Sequence, residues 1–592
     1  MKKLFLLFAF LVTAVGFSQN EQLAGYYYER SDFEKAKLSY EELLQTVPQN
    51  MQYFLRVIDC YQQLKQYDEA KTLLNERFAK YNQAAILVEL GINAHLQKEE
   101  SKANSFYDKA IERIQKNARE VYSVANLFEQ KSLLDYAIKA YDMATFVEPN
   151  YNFDYQKALL YGQMGNTELM INTLLDANFE NPENSNLIKS QLARYLFDES
   201  DSSFSDSLRK ALIIRVQKTQ DVFWNQYLSW FYVQQREYGK AFIQEKAIYK
   251  RNSQSLGNIV ALAQQSILEE DLDTAVAILS YITENTTDLS LLIQADTYLI
   301  KMKIDAAKQN DFPAINSALD ALLSKYEISP FTLSLQLIQA HFVAFNLENP
   351  VEARTIVDRA LKLQLNNYQI AQAKMELADI MLYEEKFNQA LLYYSQVELD
   401  LKNDVVAHEA SLKAAKTSYF KGDFKWALKQ LKELKAANTQ LIANDALEYY
   451  LLINDNTVAD STQTALKEFA KGDYLMYQNR SEAAIAQFQS ILKEFKGQEI
   501  EAISLLRLGT LFEKKKQYDL ALSQYQTITS NHADGIYSDE ALYFSAEIYN
   551  KKLNEPEKAK PLYEQIIFNH EDSIYFVEAR KSFRKLRGDT NL

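Results

Sequence analysis

The sequence predicts an all-α protein, a solenoid of about 14–15 stacked helix pairs. Three observations predict it. First, a large apolar residue followed three places later by a small or apolar one recurs along the chain. The marks are Phe33 and Ala36, Tyr67 and Ala70, Leu134 and Ala137, Tyr238 and Ala241, Phe312 and Ile315, Phe387 and Ala390, Phe424 and Ala427, and Tyr518 and Ala521. Second, the spacing is nearly constant: Ala36 to Ala70 is 34 residues, Ala103 follows after 33, Ala137 after 34 and Met170 after 33. Third, 592 residues contain only 13 Gly and 8 Pro, so long helices run uninterrupted, while 39 Tyr and 32 Phe supply large packing residues for every pair.

The clearest unit runs from Glu501 to Ile528. On its first half Leu505, Leu508, Gly509 and Phe512 fall at i, i+3, i+4 and i+7, one face of a 3.6-residue period. On its second half Ala521, Tyr525 and Ile528 share a face, with Gly509 and Ala521 small where two helices must cross closely. Leu508-Gly509, Phe512, Ala521 and Tyr525 resemble the tetratricopeptide (TPR) repeat, whose pattern is L-G-x2-Y followed by A-x3-F. The resemblance implies a right-handed superhelix whose first helices line a concave binding face.

Taken in order, the chain opens with Met1-Lys2-Lys3, an apolar run from Leu4 to Phe17, and Gly16-Phe17-Ser18. Residues 1–18 therefore read as a signal peptide cleaved after Ser18. The run is shorter than the roughly 20 residues that span a bilayer. No cysteine follows it for lipid attachment, so the expected location is periplasmic or otherwise exported, with no membrane span after cleavage. Residues 19–197 form an N-terminal array, with Pro149 and Pro182 closing second helices. Residues 198–435 form a central array that begins with a polar loop at Asp198–Ser207 and contains a long helix at Leu289–Lys308. Residues 436–464, with Asn454-Asp-Asn-Thr-Val-Ala-Asp-Ser-Thr462 rich in cap and turn formers, read as an irregular connection or hinge. Residues 465–592 form a C-terminal array in which Glu501-Ala502, Glu540-Ala541 and Glu578-Ala579 recur, the last two approached by Gly535-Ile-Tyr-Ser-Asp and Ser573-Ile-Tyr-Phe-Val. This part resembles the TPR modules of bacterial envelope proteins such as the TolA-binding coordinator and the outer-membrane assembly lipoprotein. The final basic helix, with Arg580, Lys581, Arg584, Lys585 and Arg587, reads as a solvated cap.

A net charge of −14 argues against nucleic-acid partners and anionic membrane surfaces, both of which need a basic footprint. There is no Gly-rich phosphate loop, G-x-S-x-G, H-E-x-x-H or paired C-x-x-C. The five histidines His95, His341, His408, His532 and His570 never pair at helical metal-ligand spacing, and His341 lies in an apolar run that predicts packing. Glu99-Glu100, Glu269-Glu270 and Glu384-Glu385 adjoin inter-helix turns, where solvated carboxylates are expected. The single Cys60 reads as a packed thiol. No catalytic, cofactor or metal residue is assigned.

The expected function is thus a non-enzymatic scaffold of the cell envelope that binds a protein or peptide along its concave face. A peptidoglycan- or polysaccharide-binding envelope protein is the competing reading. By register from the alanine marks, the concave-face candidates are Tyr122, Asn126, Asp379, Tyr383, Lys416 and Tyr419. Asn126 follows Tyr122 by one turn where carboxylate-clamp TPR proteins carry a lysine, so this chain departs from that clamp.

Overall fold

A computed structural model describes residues 20–197, 202–219, 221–252, 255–402, 404–434, 440–459 and 462–588. The expected signal peptide, residues 1–18, lies outside them. Thirty-one α-helices, from Phe33–Thr46 to Phe576–Arg587, follow a first helix over residues 20–29, and no strand occurs among the described residues.

The repeat marks sit where the turn chemistry demands. Phe33, Tyr67, Leu134, Tyr238, Phe312, Phe387, Phe424 and Tyr518 are each the first residue of a helix. In seven of these eight pairs the residue two places earlier is left-handed: Ser31, Lys65, Ser132, Arg236, Glu385, Gly422 and Lys516 have φ between 56° and 82°. At Lys516 the hydrogen bonds identify a Schellman end. The Gln517 N–H donates to the Phe512 carbonyl at 2.9 Å and the Lys516 N–H to the Glu513 carbonyl at 2.8 Å. The turn thereby satisfies the orphan carbonyls of the first helix and reverses the chain within three residues. Glu270 and Glu385 of the acidic pairs also lie at such left-handed positions, as expected for turn carboxylates.

The small residues lie at the crossings. Ala36, Ala70, Ala103, Ala137, Ala241, Ala275, Ala353, Ala390, Ala427 and Ala521 have no exposed surface. Opposite them, glycines on first helices accept aromatic rings. A Cβ on Gly91 would stand 2.2 Å from Cε1 of Tyr107, and one on Gly472 2.7 Å from Cε1 of Phe488.

The chain forms two compact units, residues 20–197 with 203–214, and residues 215–588 with 202. The divide falls at the helix Ser202–Thr219; the reading of Asp198–Ser207 as a polar loop is corrected from residue 202 on, where the chain is helical, and 198–201 lie outside the described residues. Within the second unit the expected long helix is Leu289–Ala306.

The reading of 436–464 as an irregular hinge is corrected for 440–459; 436–439 and 460–461 lie outside the described residues. Gln440–Ala459 is a 20-residue helix whose Ala446, Leu452 and Ile453 are buried. Asn454, Asp455, Asn456 and Thr457 sit on that helix, and the Thr457 hydroxyl donates to the Asn454 carbonyl at 3.0 Å. Nor does the stretch separate two cores. The hydroxyl of Tyr474 donates to the Leu382 carbonyl at 2.6 Å, and the side-chain amide of Gln478 to the Tyr383 carbonyl at 2.8 Å. The helix Thr464–Tyr477 thus caps the end of Asn367–Tyr383 across more than 90 residues of sequence. Among the described helices, Gln440–Ala459 and the terminal Phe576–Arg587 stand outside the alternation of first and second helices.

Candidate binding clefts

Each unit carries a cleft built mainly from first helices. In the first unit, Met51 and Leu55 of one helix, the turn at Asn82–Ala85, and Tyr122, Ser123, Asn126 and Gln130 of another enclose about 420 Å³. Val121–Gln130 buries Val121, Val124, Ala125, Leu127 and Phe128, which turns Tyr122 and Asn126 outward. Tyr122 is 61% exposed, its ring meeting Tyr151 at 6.2 Å and Phe153 at 5.8 Å. The side-chain Oδ1 of Asn126 accepts from the Gln130 side-chain amide at 2.6 Å. The structure brings these two sequence-predicted residues together on one cleft wall.

The second unit holds a larger and more polar cleft of about 580 Å³. Asp379 is nearly buried in its wall; it accepts from the Tyr394 hydroxyl and pairs with the Lys413 ammonium at 2.7 Å. Lys416 pairs with Asp445 at 3.4 Å and lies 4.7 Å from the Tyr449 ring centroid. Arg507 bridges Glu448 at 2.8 Å and Asp473 at 3.2 Å. His341 stacks on Phe345 at 4.3 Å and meets Glu376 at 3.0 Å, but half of its side chain stays exposed rather than packed.

Burial sets the electrostatics here. It raises the Asp473 and Glu376 pKa values, with Arg507 and His341 respectively pulling them back only in part. Burial would lower the His341 pKa, but the hydrogen bond and charge of Glu376 outweigh it and the net shift is upward. For Lys413 the desolvation cost is likewise overcome by Asp379, so the ammonium is held charged.

Two predicted groove residues do not line this cleft. Tyr383 is 5% exposed and packs edge-on against Phe345 at 4.9 Å. Tyr419 is fully buried, and its hydroxyl donates to Asp473 at 3.0 Å. Both are core residues, because the helices Thr464–Tyr477 and Gln440–Ala459 cover the face that the repeat register leaves open. The cleft residues missed in the sequence are Arg507, Asp473, Lys413 and the rings of Tyr394, Phe420, Tyr449 and Tyr477. A signal was present: Arg507, between Leu506 and Leu508, is a charge inside an apolar run.

Among the described residues no group of three His, Cys, Asp or Glu side chains is placed to hold a metal ion, and no helix is long and apolar enough to cross a membrane.

No curated protein matches the chain in sequence. Among solved structures, that titled Naa15/Naa10 bound to HypK-THB is 12% identical with a TM-score of 0.27, covering 97% of this chain and 96% of the other. The APC/C hetero-tetramer Cut9-Hcn1 is 14% identical with a TM-score of 0.23, covering 92% and 98%. Residues 469–536 match the family model for the tetratricopeptide repeat. That segment contains both the Gly472–Phe488 and the Gly509–Tyr525 crossings. On the family match and the pair geometry repeated along the chain, the fold of each unit is a run of tetratricopeptide-type helix pairs.

Proposed function

We propose that this protein is a non-enzymatic scaffold, exported to the cell envelope, that holds protein or peptide segments in the clefts of its helix pairs. The observation that carries the reading is the wall of the first-unit cleft. Tyr122 is 61% exposed beside Asn126 on a helix whose other face is fully committed to the core. A large, partly polar ring offered to solvent costs little to order and suits recognition. The polar groups found together in the second cleft are paired as ion pairs and tyrosine–carboxylate hydrogen bonds, which supports recognition rather than turnover. Export rests on the N-terminal Met1-Lys2-Lys3 and its apolar run. The acidic charge favours basic or neutral partners, with affinity that falls as salt rises.

The test is co-purification from envelope extracts, comparing the full chain with Tyr122→Ala/Asn126→Ala. Loss of the same partner proteins from the folded variant is the expected result. Unchanged partners remove this cleft from the reading, retention by purified cell wall alone favours the saccharide reading, and turnover of a substrate overturns the scaffold.

A further inference from the structure

Two segments singled out by their similarity, Gly535-Ile-Tyr-Ser-Asp and Ser573-Ile-Tyr-Phe-Val, come together in space. They line one groove of about 540 Å³, whose opposite wall is the helix Gln440–Ala459. The match is wider than the Ile-Tyr pair: His532, Asp534, Ile536, Tyr537, Glu540 and Ala541 recur 38 residues later as His570, Asp572, Ile574, Tyr575, Glu578 and Ala579.

The tyrosine of each segment packs inward. Tyr537 joins the hydrophobic cluster of the second unit, and Tyr575 stacks on Tyr543 at 4.4 Å while its hydroxyl donates to Glu540 at 3.2 Å. The isoleucine of each segment points out: Ile536 is 63% exposed and Ile574 78%. Across the groove Leu447 and Leu451 are 41% and 37% exposed. One exposed aliphatic residue needs no explanation, but four sharing one groove from three segments form a continuous apolar floor. The rim is acidic. Asp539, Glu540 and Asp572 line it together with Asp445 and Glu448, and no lysine or arginine does among the described residues. Asp445 and Glu448 are answered from outside the groove by Lys416 and Arg507, whereas Asp539 and Asp572 make no ion pair among the described residues.

We infer that this groove binds a peptide segment of a partner protein in which aliphatic side chains stand next to lysine or arginine. The aliphatic groups cover Ile536, Ile574, Leu447 and Leu451, and the cations meet Asp539 and Asp572. The inference deepens the scaffold reading and rests on it, adding the chemistry of the segment recognised and a place for it apart from the Tyr122 cleft.

The probe is a fluorescein-labelled 16-residue peptide of leucine and lysine, with two controls in which serine replaces every leucine or glutamate every lysine. Anisotropy is read with the full chain at about 0.15 M salt, where bulk attraction is screened beyond roughly 8 Å. The full chain carrying Ile536→Ser/Ile574→Ser or Asp539→Asn/Asp572→Asn is compared, with folding checked by circular dichroism. Ile536, Ile574 and Asp572 are exposed and Asp539 is half-buried at a helix start, so neither variant removes a core side chain. Expected are binding of the leucine–lysine peptide alone, at least tenfold weaker binding by each variant, and undiminished binding by Tyr122→Ala. Equal binding by the variants, equal binding of either control, or no binding overturns the groove. So does self-association of the wild type that the variants abolish, since the occupant is then a second copy. If the groove fails while Tyr122→Ala/Asn126→Ala still loses its envelope partners, the scaffold reading stands without it.

Discussion

The ring of Tyr525 occupies the space that a side chain on Gly509 would need: a Cβ there would lie 2.2 Å from Cε1 and 2.6 Å from Cζ. Both residues are buried, so neither can swing aside without opening the crossing between Ile500–Lys514 and Tyr518–Asn531. Gly509→Leu should therefore destabilise this region by roughly 1–3 kcal/mol through overpacking. In an array whose pairs contact mainly their neighbours the loss stays local. Hydrogen exchange should rise across the C-terminal pairs and remain unchanged in residues 20–197. A single cooperative loss of the whole chain contradicts this.

Tyr122 sits at the start of a first helix and Tyr419 at the end of another, and the first is 61% exposed while the second is buried. Tyr419→Phe deprives the buried Asp473 carboxylate of a hydroxyl donor at 3.0 Å and should cost about 1–3 kcal/mol in urea unfolding. Tyr122→Ala should change stability by about 0.5 kcal/mol or less, as surface substitutions usually do. The reverse ranking would place Tyr419 at the surface and Tyr122 in the core.

What was legible in the sequence was local. Gly509, Tyr525 and the alanine marks announce a crossing because the contact spans one turn and two helices, and the φ of Lys516 follows from the same turn. What was not legible depends on distant packing. Register places Tyr383 on a first helix but does not reveal that Tyr474 and Gln478, more than 90 residues on, dock against its end. Asn454–Thr457 look like turn formers, but they continue a helix whose preceding turn is held in the core by Leu452 and Ile453. The isoleucines of the C-terminal groove were visible as a repeated motif, whereas their exposure was not.

Cys60 offers a chemical clock for the first pairs. It is fully buried beside Val57 and Ile58, and burial, with the charge of Asp59 adding, pushes its thiol up to about 12. The thiolate is the reactive form, so alkylation of the native chain at neutral pH should be negligible and should track unfolding of residues 20–81 under denaturant. Fast labelling in buffer would mean that these pairs open on their own.

Glu89 gives the sharpest pH test. Its side chain is buried, and the Lys131 ammonium stands 3.1 Å away while also pairing with Asp59 at 2.6 Å. Burial raises the Glu89 pKa, Lys131 opposes it, Asp59 adds to it, and the net shift is upward. A folded pKa above the unfolded one means that the folded chain holds the proton more tightly. The associated stability is fully present below the unfolded value of about 4.3 and is lost as pH rises through the folded value. Lys131 does not confuse this window. Burial would lower its pKa, but Glu89 and Asp59 raise it, so its contribution persists across neutral pH and is lost only in strong alkali. Glu89→Gln keeps the shape, cannot ionise, and leaves Asp59 to hold the ammonium. The variant should therefore gain stability relative to the wild type as pH rises from about 4 to 7 and level off above the folded pKa. Urea unfolding of both chains across that range measures the difference. A wild type that gains on the variant with rising pH would show that the ion pair with Lys131 outweighs the burial of the carboxylate.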